Sequence, residues 1–143
     1  MSQFKSCYAD AFNMLCGDKL GEGIHRTVFA CKLLPDAVVK VEKDYFRYFA
    51  NVFESKFWSD HSDYEAVAKW LAPVMHMSPD GRILLQRRAD PVPASYELPD
   101  KMPAFLSDFK RENFGLLEGR LVCLDYAMTI PNPSTRLKKA YWT

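Results

Sequence analysis

Segment 106–113 (LSDFKREN) contains polar residues whose types and spacing suit the transfer of a charged group. The carboxylate of Asp108 could orient an attacking hydroxyl and accept its proton. Lys110 could stabilise the transferring group, and the amide oxygen of Asn113, five residues after Asp108, could reach a metal ion. The segment therefore predicts general-base chemistry next to a bound cation.

A glycine turn in the first half of the chain could approach phosphate groups. Segment 20–29 (LGEGIHRTVF) places Gly21 and Gly23 between two predicted strands. Without a Cβ atom, glycines let backbone N–H groups come close to phosphate oxygens. Taken alone, the same residues also fit a plain hairpin turn.

Lys40 closes an apolar strand segment, 37–40 (AVVK), and a lysine in such a place needs a carboxylate partner. Glu54, fourteen residues later on a predicted helix, is the first candidate. Glu65 is the alternative, because the sequence does not set the register of the helix. The alternative to an ion pair is a surface lysine and an unrelated surface glutamate.

The elements that must position these residues follow from the hydrophobic periodicity. A meander of short strands gives way near residue 44 to a helix with a stripe of phenylalanines, and a proline-rich connector follows near residue 88. The predicted strands are 13–20, 26–34, 37–42, 74–77 and 82–86, with a hairpin at 113–117 and 121–126. The predicted helices are one from about 44 with Phe46, Phe49, Phe53 and Phe57 buried, one over 63–71, a turn or two over 102–106 and a short one over 134–142.

Composition indicates one folded domain. The chain has 143 residues, 48% apolar and 26% charged, with a net charge of +1, which favours neither nucleic acid nor an anionic membrane as a partner. Cys7, Cys16, Cys31 and Cys123 are too scattered for a zinc site, so all four are predicted to be buried thiols. No apolar stretch is long enough for a membrane span, and the expected location is cytoplasmic.

In this order, the pieces resemble the protein-kinase-like family, which includes protein kinases and related small-molecule phosphotransferases. Segment 20–29 is similar to the family's G-x-G-x-x-G-x-V loop, and AVVK to its V-A-I-K. LSDFKREN is similar to H-R-D-L-K-x-x-N, and LDYA at 124–127 to the D-F-G segment. The resemblance covers roughly residues 17–127.

The resemblance implies an α+β, protein-kinase-like fold that binds ATP and Mg²⁺. Residues 1–88 would form the N-lobe, with a five-stranded antiparallel sheet and one main helix. Residues 89–143 would be the connector and a strongly reduced C-lobe carrying the catalytic loop and the metal-loop hairpin. The implied roles are a nucleotide site at Gly21, Gly23, Val28, Val38 and Lys40, with the adenine beside segment 85–88; Glu54 as the partner of Lys40; Asp108 as base with Lys110 as a phosphate contact; and Asn113 and Asp125 as metal ligands.

The sequence departs from the family pattern at several positions. Arg26 replaces the third glycine of the loop and is expected to point outward, because long charged side chains favour water. Leu106 and Ser107 replace His and Arg, and Ala127 replaces a glycine. Only sixteen residues follow Ala127, so the lobe that usually holds the acceptor is expected to be missing or supplied from outside.

Two functions are consistent with this pattern. One is a minimal ATP- and Mg²⁺-dependent phosphotransferase whose acceptor is held by a protein partner or a second copy of the chain. The other is a kinase-like, pseudokinase-type module that binds a partner protein, with or without nucleotide, through exposed residues such as Tyr141, Trp142 and segment 131–133. So small a kinase-like chain also resembles proteins of compact genomes such as bacteriophages, where the location would be the host cytoplasm.

Overall fold

The computed structural model describes residues 2–44, 48–130 and 132–143, with the side chains of residues 2–6 and 8 left out of the description. This part of the chain is an α+β protein. Its elements are α1 (Ser2–Leu15), β1 (Cys16–Glu22), β2 (Arg26–Cys31), β3 (Ala37–Glu42), α2 (Ala50–His61), α3 (Glu65–Ala68), β4 (Val74–Met77), β5 (Ile83–Arg87), β6 (Asp90–Pro91), β7 (Lys101–Pro103), a 3₁₀ turn (Arg111–Asn113), β8 (Phe114–Leu117), β9 (Arg120–Cys123) and β10 (Leu137–Lys139).

The predicted five-stranded antiparallel sheet is confirmed, with strand order β1-β2-β3-β5-β4. Side chains alternate between the two faces of a strand, so Ala37 and Val39 of β3 lie on the face covered by α1. Val38 and Lys40 lie on the opposite face and line a cleft. The alternation in β3 therefore separates the small core from the polar site.

The N-terminal segment differs from the prediction. Residues 13–20 were expected to form a strand, but α1 extends to Leu15 and the strand begins at Cys16. Phe12 meets Phe29 edge-on, with 5.4 Å between ring centroids. Burial of apolar residues against β2 therefore decides the conformation here, because tertiary contacts override weak local preferences.

The phenylalanine stripe is only partly buried. Phe57 is buried, whereas Phe49 and Phe53 are about half exposed, and Phe46 lies outside the described residues. The face of α2 that turns inward carries Asn51, Glu54 and Phe57 at intervals of three. The stripe is therefore core only at Phe57 among its described members, because the buried face of α2 is shared with the polar contacts of Asn51 and Glu54.

The second half of the chain forms a three-stranded sheet, β6-β8-β9, and a pair, β7-β10. The hairpin β8-β9 was predicted, and its two-residue turn has positive φ at Glu118 and Gly119, as a type I′ turn requires. The short helices predicted over 102–106 and 134–142 are instead the paired strands β7 and β10. Backbone pairing between distant segments satisfies these short stretches better than an isolated helical turn would.

Trp142 lies in the core edge rather than on an open surface, which corrects the expectation of an exposed tail. Its ring lies 5.0 Å from Phe114 and 5.3 Å from Phe109, and its indole N–H donates to the Pro99 carbonyl at 2.8 Å. Tyr141 is exposed as expected. The tail therefore closes the second half of the molecule.

The largest apolar core joins the two halves. It includes Phe57 and Leu71 from the first half and Phe105, Phe114 and Tyr126 from the second. Helix α3 is shorter than the helix predicted over 63–71. The segment after α3 also bonds to β9, where the Cys123 N–H donates to the Trp70 carbonyl at 2.7 Å. Within the described ranges, no helix is long and apolar enough to cross a bilayer.

The cysteines allow a direct test of the packing. Cys16, Cys31 and Cys123 are buried, but Cys7 is exposed, so the expectation that all four would be buried was wrong. Burial raises the pKa of Cys123 to about 12.

We expect iodoacetamide at pH 8 to label Cys7 about 100-fold faster or more than the other three cysteines, which react only when the structure opens. Mass spectrometry of timed samples measures this, with Cys7→Ser as the control; rapid labelling of a second thiol would contradict the packing described.

Candidate functional site

Lys40 and Glu54 form a buried ion pair in the sheet-facing side of α2. The Lys40 Nζ lies 2.8 Å from a Glu54 carboxylate oxygen, and both side chains are almost inaccessible to solvent. Lys40 also donates to the Leu124 carbonyl. Glu65 is exposed on α3, so the structure selects Glu54, rather than Glu65, as the partner of Lys40.

Arg26 is buried, which contradicts the expectation that it points outward. It lies opposite Glu42 in the β2–β3 pairing and its side chain reaches α2. Its Nη1 lies 2.7 Å from Glu54, and its Nη2 lies 2.9 Å from Asp125. Two carboxylates in reach of one guanidinium offset the cost of removing it from water, which is why the usual preference for solvent fails here.

Asn51 completes the cluster and was not identified from the sequence. Its side-chain oxygen accepts from Arg26 at 3.1 Å, and its side-chain NH₂ donates to the carbonyls of Lys40 and Arg82 at 3.1 and 3.0 Å. The available signal was its position three residues before Glu54, which puts both on one face of a helix. Asn51 therefore anchors the start of α2 to the sheet.

The charges of this cluster influence each other strongly. Burial opposes ionisation of Glu54, but the adjacent Lys40 and Arg26 outweigh burial and lower its pKa to about 2. Burial lowers the pKa of Lys40. The negative charge of Glu54 opposes this shift only in part, because Glu54 also compensates the nearby Arg26. For Arg26 the two carboxylates outweigh burial and raise the pKa. Glu54 is thus held ionised by two cations.

Tyr126 ties the segment after Asp125 to the same cluster. Its backbone N–H donates to Glu54 at 2.8 Å, and its hydroxyl donates to the Ala72 carbonyl at 2.6 Å. Burial, with the negative charge of Glu54, raises the pKa of this hydroxyl well above its ordinary value. The segment that carries Asp125 is therefore held against α2 by a backbone bond and against the segment after α3 by a side-chain bond.

A cleft of about 740 Å³ opens in front of the cluster. Residues predicted to contact the nucleotide and residues predicted to bind the metal both line it. A Cβ atom added at Gly21 would meet nothing within 4 Å, and one at Gly23 would meet only the Arg26 carbonyl at 3.8 Å. The fold itself does not require these glycines, and the space beside them is open at the cleft that they line. The predicted residues that line it are Gly21, Gly23, Val28, Val38, Lys40, Asn113 and Asp125.

Asp108 lies in a tight loop beside the cleft. Its φ is +52°, and the Asn113 NH₂ donates to both its carbonyl and its carboxylate at 2.9 Å. The Lys110 Nζ lies 3.6 Å from the other carboxylate oxygen, and both side chains are at least half exposed. A small cavity of about 80 Å³ brings Asp108 next to Asn113 and Asp125.

The oxygen atoms at this point fit a magnesium ion bound together with phosphates. Because Asn113 donates its NH₂ to Asp108, its amide oxygen is left without a partner among the described residues. Asp125 is 57% exposed and uses only one oxygen for Arg26. No group of three or more His, Cys, Asp or Glu side chains in the described ranges is placed to hold a metal ion by itself, but Mg²⁺ commonly takes one or two protein carboxylates, waters and substrate phosphates.

Comparison with protein-family models and with curated proteins finds no match to this chain.

Proposed function

We propose that this protein is a minimal kinase-like phosphotransferase that binds ATP with Mg²⁺ in the cleft. The observation that carries the proposal is the buried Lys40–Glu54 pair at the back of a cleft that Asn113 and Asp125 also line. A lysine fixed by a carboxylate is a suitable phosphate contact, since its ammonium group has three donors. Glu54 and the Leu124 carbonyl use two of them, which leaves one N–H for a phosphate oxygen.

The residues divide the work by position. Val28 and Val38 give the cleft an apolar wall for a flat base, and Gly21 and Gly23 leave room above the phosphates. Asn113 and Asp125 would hold Mg²⁺, which when bound neutralises phosphate charge. Asp108 accepts the proton of the acceptor hydroxyl as that oxygen attacks the terminal phosphorus, and ADP leaves.

The acceptor would approach Asp108 from outside the cleft. Its carboxylate is well exposed, and Asn113 orients it through the bond at 2.9 Å. Lys110 stands beside it and would stabilise the negative charge that the transferring group carries. This arrangement suits an acceptor presented by a partner protein or by a second copy of the chain.

A second candidate function is a kinase-like binding module for a partner protein. It is favoured by the ion pair between Arg26 and Asp125, which already occupies one oxygen of the proposed metal ligand. Met128 and Ile130, just beyond Asp125, are each about two-thirds exposed, as apolar residues at interfaces often are.

The decisive experiment measures nucleotide binding and turnover separately. We expect ATP with Mg²⁺ to raise the Tm by several degrees, because a ligand at 100 times its Kd stabilises a protein by about 2.7 kcal/mol. We also expect the protein to form ADP from labelled ATP or to transfer label to itself. Asp125→Asn should lower turnover at least about 100-fold, since it removes a charged metal ligand.

Asp63→Asn is the matched control, because Asp63 is exposed and lies outside the cleft. It should leave both Tm shift and turnover unchanged. A Tm shift without turnover would favour the binding module over the enzyme. The absence of any nucleotide-dependent shift would remove both nucleotide roles.

A further inference from the structure

Arg26 links strand β2 to the segment that carries Asp125. It belongs to β2, directly after the glycine turn, and its Nη2 lies 2.9 Å from Asp125, ninety-nine residues away in the chain. The same guanidinium is held by Glu54 and Asn51, so its position is fixed from three sides. It lines the cleft while remaining almost fully buried.

This contact places a fixed positive charge where a divalent cation would otherwise bind. Nη1 and Nη2 each donate to two acceptors, so the side chain cannot turn away without leaving donors unpaired in a buried place. A metal ion on Asp125 would meet the guanidinium at close range, and like charges at such a distance repel strongly. The ion must therefore either share Asp125 with Arg26 or displace it.

We propose that Arg26 is a positioning residue that competes with the divalent cation for Asp125, so that ATP binding in this cleft depends only weakly on metal. The inference rests on the proposed function, because it concerns the same nucleotide site. Arg26 holds Asp125 in place while the metal is absent, and Lys40 provides charge for the phosphates in either case. Metal binding then draws the exposed Asp125 carboxylate away from Arg26, which keeps its bonds to Glu54 and Asn51.

The test measures the ATP Kd by calorimetry in EDTA and in saturating Mg²⁺. For the wild-type chain, we expect the two values to agree within about fivefold. For Arg26→Gln, which removes the charge, Mg²⁺ should strengthen ATP binding by a factor between about 5 and 150, the usual range for coupled sites. Arg26→Lys keeps the charge and should behave like the wild type, which a merely structural role of Arg26 would not predict.

Different outcomes of this experiment would contradict the competition between Arg26 and the cation in different ways. If both proteins bind ATP and Mg²⁺ changes the Kd by the same factor in each, the competition is disproved while the nucleotide site stands. If neither protein binds ATP under either condition, the proposed function and this inference both fall. Should Arg26→Gln not fold, Arg26→Met replaces it; a wild-type chain that loses ATP binding more than 100-fold in EDTA overturns the inference without any variant.

Discussion

Replacing Glu54 with alanine is expected to lower the free energy of unfolding by about 3–5 kcal/mol, the usual result of removing one partner from a buried ion pair. Glu54 is fully buried and balances both Lys40 and Arg26. Without it, two cations would face each other out of water, and the Tyr126 N–H would lose its acceptor. Urea unfolding followed by circular dichroism measures the loss.

Two further variants make this expectation specific. Glu54→Gln keeps the size of the side chain and an acceptor oxygen, so it should cost less than alanine. Glu65→Ala removes an exposed glutamate and should change stability by less than about 0.5 kcal/mol. Equal and small losses at positions 54 and 65 would contradict the buried pair.

Acid supplies a second measurement on the same carboxylate. Its pKa falls from the ordinary 4.5 to about 2 in the folded chain, so the unfolded chain binds a proton more readily. The stabilisation is therefore complete above pH 4.5 and is lost as the pH falls towards 2, by about 3 kcal/mol for this shift. Glu54→Gln should lack this part of the acid dependence, and an unchanged acid profile in that variant would count against the assignment.

Replacing Asp108 with asparagine is expected to reduce phosphoryl transfer by about 10²–10⁴-fold, the usual contribution of a general base. Asparagine is the suitable replacement because Asp108 has a φ of +52°, a conformation that Asn adopts at lower cost than alanine. It can also still accept the bond from Asn113. Label transfer from ATP, measured at saturating nucleotide, reports the loss.

The same variant should leave ATP affinity unchanged, because Asp108 lines the small cavity rather than the main cleft. Asp100→Asn, at an exposed position outside both cavities, is the matched control and should behave like the wild type. Wild-type turnover in Asp108→Asn would remove the residue from the mechanism. Loss of ATP binding in that variant would assign it to nucleotide binding instead.

Local sequence predicted most of the strands and the order in which the candidate site residues occur along the chain. Apolar segments bounded by turn residues located β3 and β4 with their observed bounds, and turn residues also located β8 and β9. These signals work because each strand exposes one face and each tight turn needs particular residues. The sequence also identified Asp108 and Asn113 as one local motif, and the structure joins the two by a side-chain bond.

Local sequence patterns are therefore sufficient for most of the strands and for the residue types available for chemistry. Long-range contacts determine which face of α2 turns inward and that β10 pairs with β7. They also bring Arg26 to both Glu54 and Asp125. Each of these depends on groups far apart in the chain, and a charged side chain is buried only where distant partners compensate it. No local pattern contains that information, so the pairing that most affects the proposed chemistry, Arg26 with Asp125, appears only in the folded molecule.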